Sequence, residues 1–274
     1  MPDTPLLQVT NLTVTTADGS AELVRGVSFD LPRHGTLGIV GESGSGKSLT
    51  CRSILGIVPE GCVITTGEII FDGVDVTALT HKEWLPLRGN RISAVFQDPG
   101  SYLNPSIPVG KQLAEALRAT SSLGRRAAAA RAVELFASMG LHDPEFVYRQ
   151  YPFELSGGML QRVLIAIALS GDPDLLIADE ATTALDVTVQ AEVLDVIADL
   201  RASRNLALVL VSHDLAVVAQ VCDTIIVMRD GVIVEAGATT DVLGDPQHEY
   251  TRLLVDSHAT YGIEKYLAGE LAGV

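Results

Sequence analysis

Two kinds of apolar pattern divide this chain. Leu7 to Thr15 and Leu23 to Leu31 alternate apolar with polar residues on either side of Ala17-Asp18-Gly19-Ser20, which predicts an antiparallel hairpin. Gly67 to Phe71 (GEIIF), ending in Asp72-Gly73, predicts a third strand of the same small sheet. Elsewhere the runs are short and mainly apolar without alternation: Thr36 to Val40 (TLGIV), Arg91 to Phe96 (RISAVF), Leu175 to Ala178 (LLIA) and Ala207 to Val211. Such runs suit parallel strands covered on both faces. Thr224 to Met228 and Val232 to Glu235 predict two further strands joined at Asp230-Gly231.

Helical periodicity fills the intervals. It covers Lys47 to Leu55 and Val109 to Met139, the latter with Leu113, Leu117, Val133, Phe136 and the helix-favouring Ala127 to Ala130 run. It returns in Val187 to Leu200, which places Val189, Val193, Val196, Ile197 and Leu200 on one face, and in Leu215 to Val221. Strands alternating with helices predict an α/β fold on a mainly parallel, right-handed sheet, with an antiparallel β subdomain beside it. The helices that follow Gln97 predict a helical insertion, roughly 98–154, between two strands of that sheet.

Between the strand ending at Val40 and the helix opening at Lys47 stands Gly41-Glu42-Ser43-Gly44-Ser45-Gly46-Lys47-Ser48, which fits G-x-x-x-x-G-K-[ST] at every fixed position. Gly41, Gly44 and Gly46 let the backbone take positive φ and approach a ligand closely, so that successive N–H groups point at phosphate oxygens. The helix beginning here adds a partial charge of roughly +0.5. Lys47 is placed to reach the β and γ phosphates and Ser48 to ligate Mg²⁺, with Leu49 as the last residue counted in the site. A Gly/Ser linker containing a chance lysine would need no strand before it.

Composition narrows the partners. A chain of 274 residues that is 47% apolar has material for a full core, and a net charge of −15 with no basic run argues against a nucleic-acid surface. Cys51, Cys62 and Cys222 lie in no C-x-x-C pair, so neither a disulfide framework nor a zinc site is expected. No stretch reaches about 18 consecutive apolar residues, and Met1 to Thr10 lacks the basic start and apolar core of a leader. Any membrane role is therefore expected to come through a partner.

Further chemistry follows the phosphate loop. Asp179 ends a buried strand, where a carboxylate can hold the hydration shell of Mg²⁺, and the adjacent Glu180 is placed to polarise an attacking water. Ser156 is an N-cap before Gly157 and Gly158 in Leu155-Ser156-Gly157-Gly158-Met159-Leu160-Gln161-Arg162. Two glycines cost a helix about 1 kcal/mol each, which a plain cap would not require; bare N–H groups there make a second anion site.

Lys47 with Ser48, Gln97, LSGGMLQR at Leu155 to Arg162, LLIADE at Leu175 to Glu180, Leu185-Asp186 and His213 together resemble the ordered motif set of an ABC-transporter ATPase, a P-loop NTPase fold, over nearly the whole chain. The resemblance implies that Ser156, Gly157 and Gly158 of one subunit close over the γ-phosphate of ATP held by the phosphate loop of another. It implies that Gln97 senses Mg²⁺ and the membrane partner, that Asp186 bridges the subunits, and that His213 contacts the γ-phosphate and positions Glu180. It also implies a nucleotide-binding core with its antiparallel subdomain at 1–97 and 155–238, a helical subdomain at 98–154 that receives a permease coupling helix, and a C-terminal extension at 239–274.

Finer features are similar to the peptide/nickel importer branch: Gln97-Asp98-Pro99 with Leu103-Asn104-Pro105, Tyr151-Pro152-Phe153-Glu154, Asp186-Val187-Thr188-Val189-Gln190 and Pro246-Gln247-His248-Glu249-Tyr250-Thr251. SLTC at Ser48 to Cys51, Leu160, and Ser257-His258 followed by Tyr261-Gly262-Ile263-Glu264 resemble the nickel-import ATPase, so nickel or a metal chelate is the expected solute, with di- or oligopeptides the alternative. The implied partners are two integral membrane permeases, a second ATPase subunit that the branch usually supplies as a paralogue, and indirectly an extracytoplasmic solute-binding protein. The implied location is peripheral, on the cytoplasmic face of the membrane. Two departures stand out: Thr15-Thr16 occupies the place of an adenine-stacking aromatic, and Ala181 replaces the Pro that usually follows the catalytic Glu. A soluble ABC ATPase would want a long coiled-coil insertion or tandem motif sets, neither of which is seen; an inert partner subunit is the third class.

Overall fold

The computed structural model describes residues 4–97, 99–180 and 206–258. In chain order its elements are β1 (Leu7–Thr16), β2 (Glu22–Leu31), β3 (Thr36–Val40), α1 (Lys47–Ile54), β4 (Cys62–Phe71), β5 (Val74–Asp75), α2 (His81–Trp84), β6 (Ile92–Val95), α3 (Val109–Thr120), α4 (Arg125–Ser138), α5 (Pro144–Arg149), α6 (Gly157–Ala168), β7 (Leu175–Asp179), β8 (Ala207–Val211), α7 (Leu215–Val221), β9 (Thr224–Arg229), β10 (Val232–Ala238), α8 (Thr239–Gly244) and α9 (Glu249–His258). They fall into two compact units, Met1–Leu85 with Ala207–Val274, and Pro86–Leu206. The helix expected at Val187 to Leu200, together with Asp186 and Ala181, lies outside the described residues.

In the first unit β2, β1, β4 and β5 form an antiparallel sheet in that order. The expected β1–β2 hairpin is present, and its alternation changes phase midway: Leu7 and Val9 are buried, then Leu12 and Val14. A register shift between Val9 and Leu12 accounts for this, with Asn11 at φ 50. Opposite it, Gly67 takes φ 100, where an added Cβ would stand 2.6 Å from the Asn11 carbonyl oxygen, so only glycine fits the bulge. β4 begins five residues before the expected Gly67, because its first half pairs with β1 without burying an apolar face.

Beside this sheet, β3 is hydrogen-bonded in parallel to β8 on one side and β9 on the other, and all five of its residues are buried. β9 and β10 form an antiparallel pair, as the Asp230-Gly231 turn predicts. α7 packs so closely on β3 that a Cβ at Gly38 would meet Val218 Cγ1 at 2.2 Å.

The second unit pairs β6 with β7 in parallel, β7 being buried throughout, with apolar Leu175 to Ala178 ahead of Asp179. Val109 to Met139 splits into α3 and α4, and the side of α4 that is buried carries Ala128, Ala132, Leu135 and Phe136, while Val133 is half-buried. α5 has no counterpart in the apolar periodicity; Asp143 caps it by accepting from the Phe146 N–H, and Pro144 opens it.

Candidate functional site

In the first unit the chain leaves β3 at Val40 and enters the phosphate loop directly. Gly41, Gly44 and Gly46 take φ 147, 83 and 97, the three positive values expected of them. The need is strictest at Gly41, where a Cβ would stand 2.1 Å from the Met228 carbonyl oxygen. Gly46 is the N-cap of α1, so the loop feeds straight into a helix start. Lys47 is only 4% exposed; its ammonium donates to the carbonyls of Gly41 (2.8 Å) and Glu42 (2.7 Å) and to Ser45 Oγ (3.4 Å). The cation thus sits inside the loop, while Glu42, Ser43 and Gly44 face solvent. Ser48 and Leu49 follow, half-buried on the first turn of α1.

His213 belongs to the same end of the same sheet. The parallel register pairs Ile39 with Val211, so Gly41 and His213 each lie two residues past a paired position, at the C-terminal edge where α/β sheets bind ligands. The turn is fixed on both sides of the exposed His213. Ser212 N–H donates to the Ile39 carbonyl (3.2 Å), Asp214 N–H donates to Ser212 Oγ (2.9 Å), and Asp214 Oδ1 caps α7 through the Ala216 N–H (2.9 Å).

The second unit repeats this arrangement. Val95 pairs with Ala178, so Gln97 and Glu180 are each two residues beyond it, again at the C-terminal edge. Asp179 is 5% exposed and Gln97 is exposed. Glu180 holds φ 50, uncommon for a residue with a long side chain, in keeping with a sharp turn out of β7. Ser156 caps α6 as expected, its Oγ accepting from the Met159 N–H (3.4 Å), with Gly157 exposed and Gly158 buried. Before the cap, Tyr151 and Phe153 stack at 5.5 Å.

Ser48 in the first unit, and Gln97 and Asp179 in the second, each carry a hard oxygen donor of the kind that suits Mg²⁺, and a glycine-rich loop around a buried ammonium suits a polyphosphate. Thr15, 8% exposed, and Thr16, whose Oγ1 is 3.2 Å from Ser20 Oγ, end β1 and carry no ring. The second unit also holds a cavity of about 630 Å³ lined by Phe96, Tyr102, Leu103, Ile107, Ala116 and Leu164 among others.

Two features escape the apolar pattern and the motif spacing. Arg162 Nη1 donates to the carbonyls of Met139 (3.2 Å) and Gly140 (3.1 Å), tying the Ser156 helix to the end of α4. The hydroxyl of Tyr250, on α9, accepts the backbone N–H of Glu42 at 2.9 Å. Nothing in local spacing announces either contact; only the importer-branch motif around Tyr250 marks the second.

Among known proteins, the family described as ABC transporter matches residues 24–183. The chain is 45% identical over 255 residues to the dipeptide transport ATP-binding protein DppD of Bacillus subtilis (strain 168), an alignment covering 92% of this chain and 76% of that protein. It is 41% identical over 252 residues to the metal-staphylopine import system ATP-binding protein CntD of Staphylococcus aureus (strain NCTC 8325 / PS 47), covering 92% and 93%. A solved ATP-binding cassette, in a dimeric post-hydrolysis state bound to ADP and Pi, superposes with a TM-score of 0.75 at 27% identity, over 85% of this chain and 98% of that one.

Proposed function

Since this chain belongs to the ABC transporter family, we propose that it is the ATP-binding and ATP-hydrolysing subunit of an importer, energising uptake of nickel or a metal chelate. The observation that carries the reading is the phosphate loop itself, set between a fully buried β3 and α1 with Lys47 enclosed by its carbonyls. Peptide import is the second reading, favoured by the 45% identity to a dipeptide transport subunit.

The working unit in this proposal is a head-to-tail pair. Gly41 to Leu49 of one subunit grip the phosphates, and Ser156, Gly157 and Gly158 of the other close over the terminal phosphate with N–H groups at the start of α6. Asp186 bridges the two subunits. Glu180 accepts the proton of the attacking water, and His213 contacts the γ-phosphate and orients Glu180. Ser48, Asp179 and Gln97 would hold Mg²⁺, which would neutralise part of the phosphate charge. Closure drives two membrane permeases between inward- and outward-facing states, and hydrolysis reopens the pair.

The 98–154 segment supplies the permease contact, and the cavity lined by Phe96, Tyr102 and Ala116 is the receiving groove. No helix among the described residues is long and apolar enough to cross a membrane. The subunit is placed peripherally, on the cytoplasmic face, with a paralogous ATPase as second subunit and a solute-binding protein acting through the permeases.

The test is transport by the assembled complex in proteoliposomes with nickel, a nickel chelate and a dipeptide offered separately. Glu180→Gln is expected to keep nucleotide binding and lose about 10²-fold or more in turnover. Parental hydrolysis by that variant would remove Glu180 from the mechanism, and uptake of dipeptide alone would establish the second reading.

A further inference from the structure

The start of α9 is held against the phosphate loop. Tyr250 is 3% exposed, and its hydroxyl oxygen accepts the Glu42 N–H at 2.9 Å. The guanidinium of Arg229, the last residue of β9, lies over its ring at 4.8 Å from the centroid. Burial raises the phenol above its ordinary range, so it remains a neutral hydroxyl at working pH.

The tyrosine is itself held in place. Its N–H donates to His248 Nδ1 (3.1 Å), and the Glu235 carboxylate on β10 accepts from the N–H groups of Gln247 (2.7 Å) and His248 (3.0 Å). Arg252 donates back to the carbonyls of Pro246 and Gln247, both at 2.9 Å. A second contact reaches the loop from the same hairpin: the Gly231 N–H donates to the Ser45 carbonyl at 3.1 Å.

What makes this more than a packing contact is the residue it holds. Glu42 gives its N–H to Tyr250 and its carbonyl to Lys47 Nζ, so one residue lies between the C-terminal helix and the loop's cation. We propose that Tyr250 is a positioning residue of the phosphate loop, fixing the Glu42 backbone and through it the conformation from which Lys47 and the loop amides meet a phosphate. The inference rests on the loop being the nucleotide site.

A hydroxyl of this kind acts by keeping the binding-competent conformation dominant. If it is removed, apparent affinity falls by the fraction of competent loop that is lost. One neutral hydrogen bond corresponds to about a two- to tenfold weakening of nucleotide binding.

The experiment uses the full chain, parent against Tyr250→Phe, Tyr250→Leu and Lys47→Ala, with Mg·ATP binding measured by calorimetry and melting measured without nucleotide. Tyr250→Phe is expected to bind two- to tenfold more weakly while melting close to the parent, because ring and Arg229 contact are kept. In the assembled ATPase it is expected to raise KM and leave kcat unchanged. Tyr250→Leu is expected to weaken binding at least as much and to melt lower. If Tyr250→Phe binds like the parent while Lys47→Ala does not, the hydroxyl only docks the helix and the inference falls. If Lys47→Ala also binds like the parent, the nucleotide-site reading falls, and this inference with it.

Discussion

Gly41→Ala tests the architecture of the loop at its tightest point. The new Cβ would stand 2.1 Å from the Met228 carbonyl oxygen and 2.9 Å from Ser45 Oγ, both inside the 3.0 Å that real Cβ contacts keep. The serine can rotate; the carbonyl cannot. Met228 belongs to β9, which is hydrogen-bonded to β3 with Ile39 opposite Ile226 and Val40 opposite Val227. Either that parallel pairing opens or the loop moves away from the sheet. Holding a non-glycine residue at a strained backbone angle costs about 1–3 kcal/mol. Overpacking adds about 1–3 kcal/mol, for about 2–6 kcal/mol in total if the clash is not relaxed. At about 2–4 °C per kcal/mol for a chain of this size, melting should fall by about 4–24 °C. Mg·ATP affinity should fall at least about tenfold, since each 1.4 kcal/mol of displaced loop is a factor of ten. Gly44→Ala is the internal control, because Gly44 has φ 83 but nothing within 4 Å of its added Cβ. It should carry the backbone term alone, about 1–3 kcal/mol, and melt well above Gly41→Ala. Calorimetric melting and ATP titration of the three proteins decide the matter. Equal melting of Gly41→Ala and Gly44→Ala would mean that Gly41 does not lie against Met228.

Ala116→Trp would set a bulky ring into the 630 Å³ cavity beside Phe96 and Leu164; Mg·ATP binding by the isolated chain should be unchanged while co-purification with the permeases is lost, and undiminished assembly would place the permease elsewhere. Glu235 supplies a pH signature. Burial opposes its ionisation, but the Thr251 hydroxyl, the N–H groups of Gln247 and His248 and the nearby imidazole outweigh it, so its carboxyl is held below the ordinary range. A depressed folded value gives stability that is present above the unfolded value of about 4.3 and is lost as pH falls through the folded one. The melting gap between parent and Glu235→Gln should therefore be widest near pH 7 and close below about pH 4; a gap of constant size across that range would separate Glu235 from the start of α9.

What the amino-acid pattern reveals depends on how far apart in the chain the interacting groups are. Thr36 to Val40, Leu175 to Ala178 and Ala207 to Val211 are legible as buried strands because each run carries its own burial signal. The three loop glycines are legible because positive φ leaves almost no other choice of residue. The first half of β4 is not legible: its pairing with β1 is a backbone ladder on a largely exposed surface, where Val63 and Ile64 line no buried face and give no apolar alternation to read. The helices between Val109 and Met139 are legible as helical, but the point where α3 gives way to α4 is not sharply marked, since the four residues between them hold a single glycine, Gly124.

Tyr250 shows the limit most clearly, since it meets Glu42 across 208 positions of sequence. Its local pattern states only that it is an aromatic residue at the start of a short helix, and no spacing rule connects it with the phosphate loop. The connection is made by the sheet. β3 brings Gly41 to an edge, β9 runs parallel beside it and ends at Arg229, and β10 returns with Glu235, which receives Gln247 and His248 and so aims α9 back toward the loop. Each step is a backbone or capping contact of ordinary strength. The result is that a loop whose glycines make it conformationally permissive is braced from outside at Glu42 and Ser45. A motif that needs glycine for close approach cannot also supply its own rigidity, so the rigidity has to come from elements distant in the chain.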